Sequence, residues 1–146
     1  MNRKTFIKTC GCACLSGGAL ASLFSACSAA HYYAENTESN GLIRVKKSEF
    51  YFIKKQETQS RKYVLLKTRR LEYPVCIYKH SETDYTALYL RCTHQGCEVQ
   101  PNAQFLSCPC HGSEFTNRGA VQNPPAEKNL LQFKVTTDDE NIYVQL

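Results

Sequence analysis

The chain has 146 residues, the size of one ordinary domain. Charged residues are 21% and apolar residues 42%, which excludes an intrinsically disordered chain, and nine cysteines fall short of the density of a disulfide scaffold. The net charge is +5, but Arg3, Lys4 and Lys8 lie in an acid-free stretch over 1–30, and from His31 onward 15 cations face 13 acids; no Lys/Arg cluster with interleaved aromatics makes a nucleic-acid footprint.

Residues 1–30 read as an address. The three cations precede an uncharged run from Cys10 to Ala30, and the small residues Ser25 to Ala30 crowd its exit, which is the layout of an export signal. The run is long enough to span a bilayer. Its only large apolar residues, however, are Leu15, Leu20, Leu23 and Phe24, so it is a weak spanning segment. Asn2 to Lys8 resembles a twin-arginine export signal, with Lys4 in place of the second arginine. Leu23-Phe24-Ser25-Ala26-Cys27-Ser28 resembles a bacterial lipobox, which would make Cys27 the lipidated mature N-terminus; Phe24 stands where leucine is usual. A retained membrane anchor and a plain cut after Ala30 are the alternatives. Cys10, Cys12 and Cys14 read as small apolar filler. The expected location is the outer face of a bacterial membrane, or periplasm, through a lipid anchor.

Residues 31–41 follow as a polar, turn-rich tether. From Leu42 onward, short runs rich in β-branched and aromatic residues predict strands at Leu42 to Lys46, Glu49 to Ile53, Tyr63 to Leu66, Val75 to Tyr78 and Thr86 to Leu90. Polar Gln56 to Arg61 and Lys79 to Asp84 separate them. Further strands are expected at Gln104 to Ser107, Leu130 to Val135 and Ile142 to Val144, with Thr137 to Asn141 as the last hairpin turn. No segment sustains a helical period, and no internal repeat is present. The fold class is all-β and antiparallel. Cys76 reads as a buried thiol, and His31 and His80 as exposed residues without a role.

Two clusters hold the remaining cysteines: Cys92-Thr93-His94-Gln95-Gly96-Cys97 and Cys108-Pro109-Cys110-His111-Gly112-Ser113-Glu114-Phe115. The 13 residues between His94 and Cys108 allow a hairpin that brings the two loops together. Cys-x-His with Cys-x-x-His supplies two thiolates and two imidazoles. That donor set suits a tetrahedral zinc ion or a [2Fe–2S] cluster with mixed ligands. Cys97 and Cys110 are left over beside those residues, and paired thiols oxidise in an exported protein. Gly96 and Gly112 free the backbone for tight turns that aim amides at sulfur, and Pro109 stiffens the second loop.

These motifs resemble the signature of Rieske iron–sulfur proteins, in the disulfide-bearing branch found in cytochrome bc-type complexes. The motif core is 92–115 and the resemblance covers about 42–146. It implies one [2Fe–2S] cluster per chain held by Cys92, His94, Cys108 and His111, and a Cys97–Cys110 bridge. It also implies an antiparallel base domain with a small cluster-binding lobe, here about 90–122. Asn123-Pro124-Pro125-Ala126 is similar to the family's proline loop over the cluster. Ser113 matches the hydroxyl that donates to a bridging sulfide.

Two residues depart from the branch. Phe115 stands where high-potential members carry tyrosine, which lowers the expected potential. Gln95 replaces a usual apolar residue at the docking tip, which weakens the case for quinol as direct donor. The outer nitrogens of His94 and His111 are expected to face solvent or a partner and to couple electron uptake to proton uptake, so that the potential falls at alkaline pH. The expected function is one-electron transfer on the outer face of a membrane, with cytochrome b and a c-type cytochrome as partners in a quinol-oxidising complex. A stand-alone anchored carrier, or the electron-transfer subunit of another exported oxidoreductase, is the alternative. An oxygenase ferredoxin is disfavoured by the export signal and the two extra cysteines. The chain is expected to catalyse nothing beyond moving one electron.

Overall fold

The computed structural model describes residues 31–146. The export signal, with Cys10, Cys12, Cys14 and the lipidation candidate Cys27, lies outside the described residues. Among those, regular structure consists of one 3-10 turn, Lys47–Phe50, and thirteen strands: β1 (Asn36–Ser39), β2 (Leu42–Lys46), β3 (Tyr51–Lys54), β4 (Glu57–Ser60), β5 (Tyr63–Leu66), β6 (Val75–Lys79), β7 (Tyr85–Tyr89), β8 (Gln100–Pro101), β9 (Phe105–Ser107), β10 (Glu114–Thr116), β11 (Val121–Asn123), β12 (Gln132–Thr137) and β13 (Asn141–Gln145). No helix here is long and apolar enough to cross a membrane.

A seven-stranded sheet runs β1-β2-β13-β12-β7-β6-β5, antiparallel at every pairing. A four-stranded antiparallel sheet, β11-β10-β9-β8, forms the smaller lobe, and β3 and β4 make a separate hairpin. The fold is all-β, as the alternation and spacing of the strand runs imply.

The burial of each strand explains its sequence. In β5, Val64 and Leu66 enter one core while Leu65 enters a second on the opposite face. In β6, Val75 and Ile77 face the first core, and Cys76 and Tyr78 the second. Ala87 and Leu88 divide in the same way on β7. Strands covered on both faces need continuous apolar runs, and Tyr63 to Leu66 and Val75 to Tyr78 are such runs. β2 and β13 alternate instead: Ile43, Val45, Ile142 and Val144 are buried and their neighbours are not. The second core contains Cys92 and Cys108, so the middle of the large sheet is also the base on which the cysteine loops stand.

Several expectations need correction. The 31–41 segment contains β1, paired antiparallel with β2, and is not a free tether. Upstream of it, Tyr33 bridges Leu65 in parallel, the Ala34 amide donates to the Leu65 carbonyl at 2.9 Å, and the Leu65 amide donates to the Tyr32 carbonyl at 2.9 Å. Glu49 and Phe50 belong to the 3-10 turn, where Phe50 is buried, and the strand begins at Tyr51. The polar stretch after Lys54 is a hairpin turn and a strand, β4, that is exposed throughout. The strand expected from Leu130 is β12, which begins at Gln132. His31 and His80 are each partly buried: His31 Nδ1 lies 3.0 Å from the Tyr63 hydroxyl, and His80 Nε2 lies 3.0 Å from Thr86 Oγ1. Burial, with Arg118 nearby, pushes the His80 imidazole below its ordinary range.

Candidate metal centre

Two six-residue loops share one construction. Cys92 to Cys97 is closed by an antiparallel bridge between Arg91 and Glu98; Cys108 to Ser113 is closed by the Ser107–Glu114 pair of β9 and β10. In the first, the Cys92 amide donates to the Cys97 carbonyl at 2.8 Å and the Gly96 amide to the Cys92 carbonyl at 2.9 Å. In the second, the Cys108 amide donates to the Ser113 carbonyl at 2.8 Å and the Gly112 amide to the Cys108 carbonyl at 3.0 Å. The fifth residue of each loop is a glycine with φ of +79° or +78°. A side chain at that backbone conformation is disfavoured, so glycine is the residue that lets each turn close.

Each first cysteine is consequently held at the root of its loop, at the second core. Cys92 and Cys108 are buried free thiols, whereas His94 and His111 are exposed at the loop tips. The imidazole rings approach edge-on with centroids 5.2 Å apart. The Cys108 sulfur has Cys92 and the backbone amides of Cys110 and His111 beside it. Burial, and then the neighbouring Cys92, push the Cys108 thiol up, while the two amides oppose this.

Cys97 and Cys110 form a disulfide that joins the sixth position of the first loop to the third of the second. Their sulfurs lie within 4.8 Å of Cys108 Sγ, but a bonded pair offers no thiolate, so they brace the site and leave Cys92 and Cys108 as the available sulfur donors. Two buried thiols, two exposed imidazoles and amides aimed at sulfur fit a mixed-ligand iron–sulfur cluster. Cys76 is fully buried on β6 in the second core, and burial pushes its thiol well up.

Ser113 is completely buried, and its hydroxyl oxygen accepts the Ala126 amide at 3.0 Å. The segment 123–126 is thereby fastened to the second loop. The Thr93 hydroxyl donates to the Lys128 carbonyl and fastens the same segment to the first. The Thr93 contact, and the position of Arg91 against Gly96, had no sequence signal, because both depend on which loops the fold brings together. Phe115 is fully buried in the core beneath both cysteines. Gln95 is exposed at the tip beside His94.

The chain shares 38% identity over 63 residues with the cytochrome b6-f complex iron–sulfur subunit of Chlorobaculum tepidum, a match covering 42% of this chain and 35% of that protein. It shares 39% over 72 residues with the corresponding subunit 1 of a Nostoc strain, covering 48% and 40%. The matched region is therefore well under half the length of these curated relatives. Among solved structures, the cyanobacterial plasma membrane Rieske protein PetC3 from Synechocystis PCC 6803 superposes with a TM-score of 0.52 at 28% identity, over 58% of this chain and 87% of that one. The Rieske [2Fe-2S] domain model matches residues 49–134, more than half of the chain and the stretch containing both loops. By that match the chain belongs to the Rieske family, as a [2Fe–2S] electron carrier related to the iron–sulfur subunits of cytochrome b6-f complexes.

Proposed function

We propose that this chain is an exported, membrane-associated one-electron carrier in which Cys92 and Cys108 bind one iron of the cluster and His94 and His111 the other. The supporting observation is the matched pair of loops, which seats two thiols in the core and presents two imidazoles at the surface. The bound cluster supplies a reversible one-electron couple, with mixed ligation placing such centres at roughly −150 to +300 mV. The protein's own residues set the surroundings. Cys110 and His111 amides stabilise negative charge on Cys108. Ser113, held by Ala126, retains its hydroxyl proton to donate toward the cluster. The disulfide keeps the loops in register.

Membrane association rests on the 1–30 segment, with lipid at Cys27. The partners are redox proteins, with a membrane cytochrome b and a c-type cytochrome the reading that the named relatives suggest. A stand-alone anchored carrier is the second reading, favoured by the polar Gln95 exposed at the tip.

The test is anaerobic purification of the full chain with iron and sulfide analysis and paramagnetic resonance of the dithionite-reduced protein. Two irons, two sulfides and a reduced-state signal are expected, lost in Cys92→Ser and Cys108→Ser. Zinc in a colourless protein would overturn the assignment. Cluster reduction by a quinol analogue in membranes but not by the isolated chain would favour the cytochrome complex over the stand-alone carrier.

A further inference from the structure

A groove of ≈ 480 Å³ lies beside the first loop. Cys92 and His94 contribute to its lining, together with Tyr89, Arg91, Lys128 and Leu131. We propose that this groove docks a carboxylate-bearing surface of the electron-partner protein. The inference rests on the reading of His94 as an exposed cluster ligand and adds to it the chemistry of the partner.

Two uncommitted cations, Arg91 and Lys128, line the groove. Arg70, Lys79 and Arg118 each hold a carboxylate within 4.0 Å, whereas among the described residues Arg91 and Lys128 hold none. The nearest acids in sequence do not line the groove. Glu98, opposite Arg91 in register, lines a separate cavity with Tyr33 and Lys67, and Glu127 is exposed outside the groove. The Arg91 guanidinium is placed by the loop itself. A Cβ on Gly96 would stand 3.3 Å from Arg91 Nε and 3.5 Å from Nη2, so the bare glycine makes room for the cation against the loop. Lys128 is placed by the Thr93 hydroxyl, which holds its carbonyl.

Between these walls Leu131 is 55% exposed, an apolar contact flanked by positive charge. Desolvating two cations without counter-charges costs energy, so a complementary surface must bring carboxylates. Such a surface would be steered to the side of the cluster where His94 is exposed. Contacts of this kind raise association rates and are screened by salt, which suits a carrier that must release its partner after one electron.

The experiment uses the full chain with its cluster loaded and reduced, in stopped flow. One electron passes from the cluster to hexacyanoferrate(III), giving hexacyanoferrate(II), or to the cationic oxidant tris(phenanthroline)cobalt(III). Arg91→Glu/Lys128→Glu is expected to slow the hexacyanoferrate reaction roughly tenfold at low salt and to leave the cobalt reaction unslowed. Lys54→Glu/Lys55→Glu on the β3–β4 hairpin makes the same change in net charge and is expected to keep the wild-type ratio. A c-type cytochrome with an acidic haem edge is expected to be reduced faster than one with a basic edge, and the advantage to vanish in Arg91→Glu/Lys128→Glu.

Equal effects of the two charge pairs would overturn the proposal, because overall charge would then suffice. So would binding to phosphatidylglycerol vesicles that depends on Arg91 and Lys128 while the electron-transfer rates do not, which would assign the groove to lipid headgroups. A chain that shows no reduced-state signal fails the proposed function; a loaded chain with unselective rates fails only this inference.

Discussion

Phe115 is a position where one added atom is expected to move the potential of the site. Its ring is fully buried in the core that also contains Cys92, Cys108 and Leu106. Converting it to tyrosine adds a hydroxyl at a dry position. An unpaired buried hydroxyl costs about 1–3 kcal/mol, whereas one that donates to a cluster-bound sulfur stabilises the reduced, more negative state. Phe115→Tyr is therefore expected to raise the midpoint potential in film voltammetry, within the window of roughly −150 to +300 mV for such centres, with little loss of thermal stability. A lower melting temperature with an unmoved potential would mean that the hydroxyl finds no acceptor. Ser113 illustrates the converse: its oxygen already accepts the Ala126 amide, which leaves its single proton free to donate.

The Cys97–Cys110 bridge spans 13 positions, and cross-linking a loop of that size restricts the unfolded chain by about 3 kcal/mol in the chain-entropy account. The Cys97→Ser/Cys110→Ser double variant is expected to lose about that much stability and to bleach faster under a chelator, followed by visible absorbance. A second element, the β12–β13 turn, is built on Asp138. Its carboxylate accepts the Tyr143 hydroxyl at 2.7 Å and the amides of Asn141 and Glu140 at 2.6 Å and 2.8 Å. Those bonds, the Tyr143 hydroxyl first, pull its pKa down to about 2, against about 3.9 for an unfolded aspartate. The folded form therefore holds its proton less tightly. The stabilisation is present above pH ~4 and is lost as pH falls toward ~2. Asp138→Asn is expected to flatten the fall in stability across that interval in urea titrations; an unchanged slope would show that the turn does not carry it. This turn was legible in sequence, as were the full extents of β2 and β5, because alternation and a doubly buried apolar run both leave a pattern. β4 was not, since all four of its residues are exposed and no face selects apolar side chains. β8, β10 and β11 have two or three residues, too few for any period. The motif singled out Cys92, His94, Cys108 and His111, which the fold places on two matching loops, while the ties from Ser113 and Thr93 to the 123–128 segment depend on long-range packing that spacing does not encode.

At the scale of the whole molecule, the leading edge of the described chain is part of the body. Ala34 is buried in the first core, and the Arg61 guanidinium lies 3.8 Å from the Tyr32 ring centroid and 4.5 Å from that of Phe52, clamping the segment to the β3–β4 hairpin. His31 reaches the Tyr63 hydroxyl, which in turn donates to the Pro101 carbonyl on β8 of the smaller lobe. The segment thus packs on the large sheet, with Tyr63 between it and the smaller lobe, and a boundary drawn at Leu42 from composition cuts through a packed unit. A chain beginning at Leu42 loses β1 with its pairing to β2 and the buried Ala34, the two backbone hydrogen bonds to Leu65, worth about 2 kcal/mol together, and the Tyr32–Arg61 contact, worth about 0.5–1 kcal/mol at an exposed site. In urea denaturation of the loaded proteins it is expected to be less stable than a chain beginning at His31 by at least about 2–3 kcal/mol. Equal midpoints for the two chains would show that the edge merely rests on the sheet. The expected difference would set the start of the folded unit at His31 rather than Leu42, because β1 and the residues before it pack on the large sheet.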